Sequence, residues 1–404
     1  MTASLETLSA QPENPTPIKI RFSTIEACRL CGSRNIEILL KFDSMPILAE
    51  PVKASVTVPC APLTVCVCAT CRYVFLEEVI DDSIYRDYIY TPQTSDDVVA
   101  YLQTFVSNTV NTLNLKSGMR GLEIGSGDGS LCREFVMTGI HFTGVEPSTI
   151  LSTLSRDSNH VETHNSFMNA KLAETLGSTF DLVVVRHVLE HIHDFSSFIG
   201  AIDRCLKPGG TLVVEVPYLG DIVSQKQFFS FFFEHLSYFS VTSLSDLLQK
   251  FGFYINHTEF VHPEGGSVLI HAIRQRGLGP HERPDFSTES LRSLGQALFS
   301  CRRKFESIVT EHGPIAAYGA GQRGVTLLNL MGASDSNVVA VFDENPAYHG
   351  LLTPQSGILV QSPEMMTKDY VKGKVLILAS SYDQQIRNKY LHMTDRFISL
   401  SEIT

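Results

Sequence analysis

Between about residues 120 and 275, short apolar runs alternate with stretches whose apolar residues recur every three or four positions. Short apolar runs bounded by turn residues predict buried strands, and the three-to-four spacing predicts helices packed against them. The clearest unit is 122–146: an apolar start, a glycine turn, an amphipathic run, then a second apolar run ending in Glu146. It reads as strand, loop, helix, strand. Residues 180–185 (FDLVVV) read as a buried strand, with 186–194 at its carboxyl end. Residues 204–210 read as a helix end and a turn leading into a strand at 211–216, and a glycine turn at 261–266 precedes a last strand reaching Ile273. A helix is expected at 96–115. Such alternation predicts a parallel sheet covered by helices. A second, smaller copy of the pattern starts at Pro314: an apolar run into Gly319, another ending at Asp343, and further apolar runs at 374–379 and 397–400.

The length of 404 residues allows two to four domains. The pattern divides them into a disordered tail (1–21), a small β-rich domain (22–85), a first nucleotide-binding fold (86–275), a charged connector of helical period (276–310) and a Rossmann-like domain (311–404). The fold class is therefore α/β. With 43 acids against 32 Lys and Arg the formal charge is -11, which argues against a nucleic-acid partner. No apolar run reaches the length of a membrane span, and the first residues lack the positive and apolar regions of a signal peptide. A cytoplasmic protein with a small-molecule substrate is expected; the sequence does not speak to oligomeric state.

Nine cysteines, some in C-x-x-C pairs, suit a reducing compartment and metal binding better than disulfides. Cys28 and Cys31, with Cys68 and Cys71, supply four thiolates for a tetrahedral zinc ion. Cys66 is a rival that strand alternation turns to the same side as Cys68. A closed four-sulfur shell leaves no open position, so a zinc there is structural.

The first glycine loop runs E-x-G-x-G-x-G from Glu123, through Gly125, Ser126, Gly127, Asp128 and Gly129. A dinucleotide site wants G-x-G-x-x-G, but Ser130 stands at the third glycine position. Glu146 falls where a nucleotide fold places its ribose-binding acid. The segment RHVLEHIHD after the 180–185 strand sets His187, Glu190, His191 and His193 at the sheet edge where ligands sit in open α/β folds. Tyr85, Tyr88 and Tyr90 precede the first helix, as packing residues or as a cover for the pocket.

FFSFFFEHLSYF at 228–239 is the most unusual stretch, an aromatic wall holding one carboxylate, Glu234, and one imidazole, His235. Such groups are costly in a dry wall unless paired or used, and burial there can tune them for acid–base work. Its bland alternative is a buried aromatic helix with a satisfied Glu–His pair. The second glycine loop, Gly319 to Gly324, does fit the dinucleotide spacing, which by itself suggests NAD.

The alternating loop from Glu123, with H-V-L-E-H and L-K-P-G-G at these distances, resembles class I S-adenosylmethionine (SAM) methyltransferases. The Cys₄ pairs, this loop, E-H-x-x-Y-F at 234–239, G-G-S at 265–267 and Y-G-A-x-x-x-G at 318–324 together resemble the nucleotide-sugar C-methyltransferases, which methylate C3 of a dTDP-4-keto-deoxysugar. The resemblance covers the chain after residue 22. It implies a zinc-binding N-terminal domain, a SAM-binding central domain and a C-terminal domain that helps hold the nucleotide-sugar. It implies Glu123, Gly125, Ser126, Gly127, Asp128, Gly129, Glu146, Pro147, His187 and Tyr88 around SAM. Phe232, Glu264, Gly319, Arg323 and Asp343 would face the substrate, and His235 would be the base with Glu234 beside it. The chain departs from the family at His187 (Asn there), Phe232 (Tyr), Glu264 (His), Arg323 (Lys) and Ser380 (Trp).

C-methylation needs a base near an acidic C–H, a donor to the developing enolate oxygen, and an in-line methyl sulfonium. The expected roles are His235 as base, Glu234 fixing its tautomer, and His187, His191 or Tyr238 as donor. Rival expectations are methyl transfer to O, N or another carbon, an NAD-dependent oxidoreductase, and a non-catalytic binding module.

Overall fold

The computed structural model describes residues 22–87, 96–261, 266–274, 286–367 and 371–404. Tyr88, Tyr90, Glu264 and the tail 1–21, all singled out above, lie outside these. The described chain forms two compact units, one of 22–42 and 63–300 and the other of 43–62 and 301–403. Residues 43–62, inside the expected small N-terminal domain, therefore cluster with the C-terminal unit.

In the larger unit a seven-stranded sheet runs, edge to edge, Tyr254–Val261, Ser267–Ile273, Leu206–Pro217, Phe180–Arg186, Arg120–Ile124, His141–Val145, Glu162–His164. The last five are parallel, and Ser267–Ile273 is antiparallel to both its neighbours. Strand order reverses between Arg120–Ile124 and Phe180–Arg186, so the crevice beyond their carboxyl ends is the switch point where such sheets bind ligands. Phe180–Arg186 is central because its Leu182, Val183, Val184 and Val185 are all buried, leaving both faces of the strand apolar. Side-chain oxygens cap the flanking helices: Ser148 accepts from Leu151 N, Asp194 from Ser197 N, and Ser240 forms a capping box with Ser243.

Two expectations change. The helix Phe195–Cys205 passes directly into the strand Leu206–Pro217, and the turn expected at 204–210 is a bulge, seen as a register shift between Leu206 and Thr211. The aromatic stretch is not a helix. One 3₁₀ turn, Phe228–Ser230, gives way to a short strand, Ser237–Tyr238, which pairs antiparallel with Val74–Leu76. Six phenylalanines in twelve residues are buried on every side, which a one-faced helix cannot arrange, and the added strand supplies backbone partners instead. It completes a four-stranded sheet ordered Ser237–Tyr238, Val74–Leu76, Cys60–Cys68, Ile36–Pro46.

The C-terminal unit holds a five-stranded parallel sheet: Val360–Gln361, Val338–Phe342, Ile315–Tyr318, Val375–Ile377, Phe397–Ser399. The runs at 338–343, 374–379 and 397–400 predicted its strands; the two-residue edge strand carried no pattern to read. No helix among the described residues is long and apolar enough to cross a membrane.

Candidate active site

Arg120–Ile124 ends in the loop 125–129, held shut by Gly125 N and Ser126 N donating to Val145 O at 2.8 and 3.2 Å. Gly125 has φ +73°, and a Cβ there would stand 2.3 Å from Val188 Cγ2. The missing side chain thus lets the segment after the neighbouring strand press onto the loop. A Cβ at Gly127 would meet nothing within 4 Å, so the loop has an open side for a ligand. Glu123 lies beneath, with Cys132 Sγ donating to its carboxylate at 3.0 Å. Burial pushes the Glu123 carboxyl up to about 8, against the pull of Cys132 and Arg186. Asp128 accepts from Ser130 N at 3.1 Å and Ser130 Oγ at 2.5 Å, securing the start of the helix Ser130–Met137. Ser126 is buried and packs toward Gly144. Glu146 accepts from Gly127 N and Ser148 N, each at 2.8 Å, and Asn165 binds the carbonyls of Glu146 and Pro147 at 3.0 Å. The loop residues, Glu146 and Pro147 are thus one connected structure.

Beyond Phe180–Arg186 the backbone turns through His187, at φ +49°. Its ring lies between two buried acids: Nε2 is 3.3 Å from Glu215 and Nδ1 is 3.6 Å from Glu190. Burial works to raise Glu215, yet Arg186, at 2.5 Å, and His187 hold it well below the usual carboxylate range. The Arg186 guanidinium is sandwiched against Tyr101 and Phe105, with centroids at 5.3 and 5.0 Å. Neither Arg186 nor Glu215 was singled out from sequence, although an acid inside TLVVEVP and a cation ending FDLVVVR were there to be read.

His191 Nδ1 is 2.6 Å from the carbonyl oxygen of Glu234, which also accepts from Tyr85 OH at 3.2 Å. Tyr85 OH lies 2.9 Å from the same Nδ1; because a carbonyl only accepts, the neutral ring carries its proton on Nδ1 and keeps its lone pair on Nε2. The rings of His191 and His235 meet edge to face at 4.9 Å; Phe232 covers His235 at 4.3 Å and Tyr238 lies 6.4 Å away. Tyr238 is buried, and burial lifts its phenol well above its ordinary value. The structure thus brings His187, His191, Glu234, His235, Phe232 and Tyr238 together at the carboxyl edge of the sheet. The Glu234 contact to His191 is made by its backbone carbonyl. Tyr85 also packs edge to face against His191, at 5.2 Å between ring centroids.

The four cysteines converge, with Cys28 and Cys71 sulfurs 3.6 Å apart and Cys31 and Cys68 sulfurs 3.5 Å apart. Tetrahedral thiolate ligands about 2.3 Å from zinc lie about 3.8 Å from one another, so the cluster fits that ion. Each pair sits on a matching turn: Gly32 N donates to Cys28 O and Arg72 N to Cys68 O, with Gly32 and Arg72 at φ +75° and +65°. Cys66 is not part of the sulfur cluster; burial, chiefly, pushes its thiol up to about 12. Arg29, between the first two cysteines, is half-buried and donates to the carbonyl of Leu236, next to His235.

In the C-terminal unit Gly324 packs so close that a Cβ would lie 2.2 Å from Gly319 O. Asp343 accepts from Ala320 N at 2.6 Å and Asn345 N at 2.8 Å, as Glu146 does in the first loop. Arg323 is partly buried on the first turn of the helix Gln322–Met331.

A family model described as a methyltransferase domain matches residues 98–258, and one described as a C-methyltransferase C-terminal domain matches residues 290–399. The chain is a SAM-dependent methyltransferase. The pair of models supports C-methylation in general as its chemistry. The methyltransferase is 28% identical to the C-methyltransferase NovU of Streptomyces niveus, over 93% of this chain and 95% of that one. It is 36% identical over 107 residues to a ubiquinone biosynthesis O-methyltransferase of Bradyrhizobium, covering 26% of this chain and 42% of that protein. Among solved structures, the magnesium protoporphyrin IX methyltransferase of Synechocystis matches with a TM-score of 0.38 and 20% identity, covering 48% of this chain and 100% of that one.

Replacing Gly125 of this methyltransferase with valine is expected to abolish SAM binding by calorimetry, since the new side chain meets Val188 in a backbone conformation that valine avoids. Unchanged affinity would place the cofactor elsewhere.

Proposed function

We propose that the enzyme transfers a methyl group from SAM to an enolisable carbon beside a ketone, in a nucleotide-linked 4-keto-deoxysugar, with His235 as the general base. What carries the reading is the cluster at the switch point: His235, covered by Phe232 and set against His191, beyond the same sheet edge as the open glycine loop. The end-to-end likeness to a C-methyltransferase supports carbon as the acceptor atom.

Glu123, the loop from Gly125 through Ser126, Gly127 and Asp128 to Gly129, and Glu146 with Pro147 would hold SAM, which supplies an already activated methyl group. The residues fit it: the open side at Gly127 is a cradle, and Glu123 is an acid kept for a cation. His235 takes the proton from the carbon. The Glu190 carboxylate lies within 4.8 Å of the ring that takes the proton. His191 has its Nδ1 proton committed to Glu234 O, so as a neutral ring it cannot donate to an enolate through Nε2. His187 or Tyr238 is then the better donor. Zinc on Cys28, Cys31, Cys68 and Cys71 serves structure only. Gly319, Arg323 and Asp343 of the C-terminal unit would bind the nucleotide. Incubation with SAM and 4-keto-deoxysugar nucleotides, followed by NMR of the product, tests the reading through a new C–CH₃ signal. A new O–CH₃ or N–CH₃ signal would favour the second reading, methylation of another intermediate, to which the departures at Phe232 and His187 point.

Glu123 gives a pH test. Its carboxyl, raised to about 8, is protonated in the free protein at pH 7 and ionises when an ammonium arrives. SAM binding at pH 7 should therefore release close to one proton, and affinity should climb as pH rises toward 8. Calorimetry in buffers of different ionisation enthalpy reads this directly. Equal heats in all buffers would remove Glu123 from the amino-group site.

A further inference from the structure

Glu190 is 1% exposed, and neither of its carboxylate oxygens has a hydrogen-bond partner. His187 Nδ1 lies 3.6 Å from it, just beyond hydrogen-bond reach. A buried carboxylate left this way is costly by several kcal/mol unless a cation meets it. Two imidazoles lie beside it. One ligand atom from each of Glu190, His191 and His235 lies within 4.8 Å of the others. Ligands about 2.1 Å from a common ion are at most about 4.2 Å apart, so side-chain movements of less than about an ångström close the shell.

We propose that Glu190, His191 and His235 form a second metal site, distinct from the four cysteines, which takes one first-row divalent cation such as Co²⁺, Mn²⁺ or Zn²⁺. Two neutral imidazoles and one carboxylate are a donor set for such ions and leave positions open for water or a substrate oxygen. The orientation of His191 matches the role. Its Nδ1–H is spent on the Glu234 carbonyl, the outer bond by which proteins fix a ligating histidine, and this leaves the Nε2 lone pair for the ion. Glu190 supplies the charge, and it is otherwise unexplained in the buried turn Leu189–His191. The lone pair with which His235 binds a cation is the one with which it would accept a proton. The cation-loaded and proton-accepting states therefore exclude each other, and the loaded enzyme is inhibited.

Cobalt titration of the full-length protein, with one zinc per chain retained, tests the site without any acceptor present. One further equivalent should bind, with weak visible d–d bands and no thiolate charge-transfer band, which separates it from exchange at the cysteines. Binding should weaken as pH falls through the histidine range, where protons compete. Glu190→Gln, nearly the same shape, should lose at least tenfold in cobalt affinity with its melting temperature checked alongside, and His191→Gln should lose as much. Absence of the second equivalent, or binding unchanged in Glu190→Gln, overturns the proposal. Binding is read here and turnover under the proposed function, so either can fail alone. Inhibition of turnover by cobalt is the expected companion result. Acceleration would overturn the inhibited state proposed here and remove His235 from the role of base, while the binding data would still locate the ion.

Discussion

His235→Ala should lower turnover on the true acceptor by roughly 10²- to 10⁴-fold, the usual worth of a positioned general base. SAM affinity should stay within about twofold, because the glycine loop and Glu146 make their own hydrogen bonds and none of them involves residue 235. That split between turnover and cofactor binding separates loss of a base from general damage. A second readout isolates the proton step: with S-adenosylhomocysteine in place of SAM, the wild-type enzyme in D₂O should exchange the acidic hydrogen of the acceptor, and the variant should not. Turnover of the alanine variant within about tenfold of wild type would mean that another group takes the proton.

Loss of the four-sulfur site is expected to be nearly as severe, and for a structural reason. Cys68→Ser, or a strong chelator, should remove one zinc per chain by elemental analysis and lower the melting temperature by about 10 °C, given what structural zinc contributes to small domains. Activity should fall with it. Ser237–Tyr238 pairs with Val74–Phe75, and Arg29, lying between two of the cysteines, donates to Leu236 O. The cysteine knuckles therefore position the backbone immediately after His235. Full activity in zinc-free protein would break this link. If elemental analysis finds no zinc before any treatment, the four cysteines are merely clustered thiols.

The sheet of the larger unit was legible because its strands announce themselves locally: FDLVVV can bury both faces, and a glycine loop between two apolar runs has few other uses. The approach of Cys28, Cys31, Cys68 and Cys71 was legible from spacing alone. Segment 228–239 was not. Its twelve residues have no period, and what shapes them is a pairing with Val74–Leu76, more than 150 residues earlier in the chain, which no local pattern encodes. The pairing of Arg186 and Glu215 was not legible because one ends an apolar strand and the other lies inside a second, and only the sheet register sets them side by side. Glu190 read as one of two acids in RHVLEHIHD, set with its histidines at the sheet edge. Its isolation depends on which neighbours fail to reach it, and that is visible only in three dimensions.

The strand Ser237–Tyr238 bears on how such enzymes can be recombined. Seen as a string of modules, the first eighty or so residues look exchangeable between relatives, yet they carry the hydrogen-bonding edge on which the later segment is laid. During synthesis that edge waits through the whole intervening sheet before its partner leaves the ribosome. A chimera cut between the cysteine domain and the central fold would splice two half-sheets that had not evolved together. Viable crossovers should therefore carry the stretch around residues 228–239 along with the cysteines, and treat the two as a single heritable block.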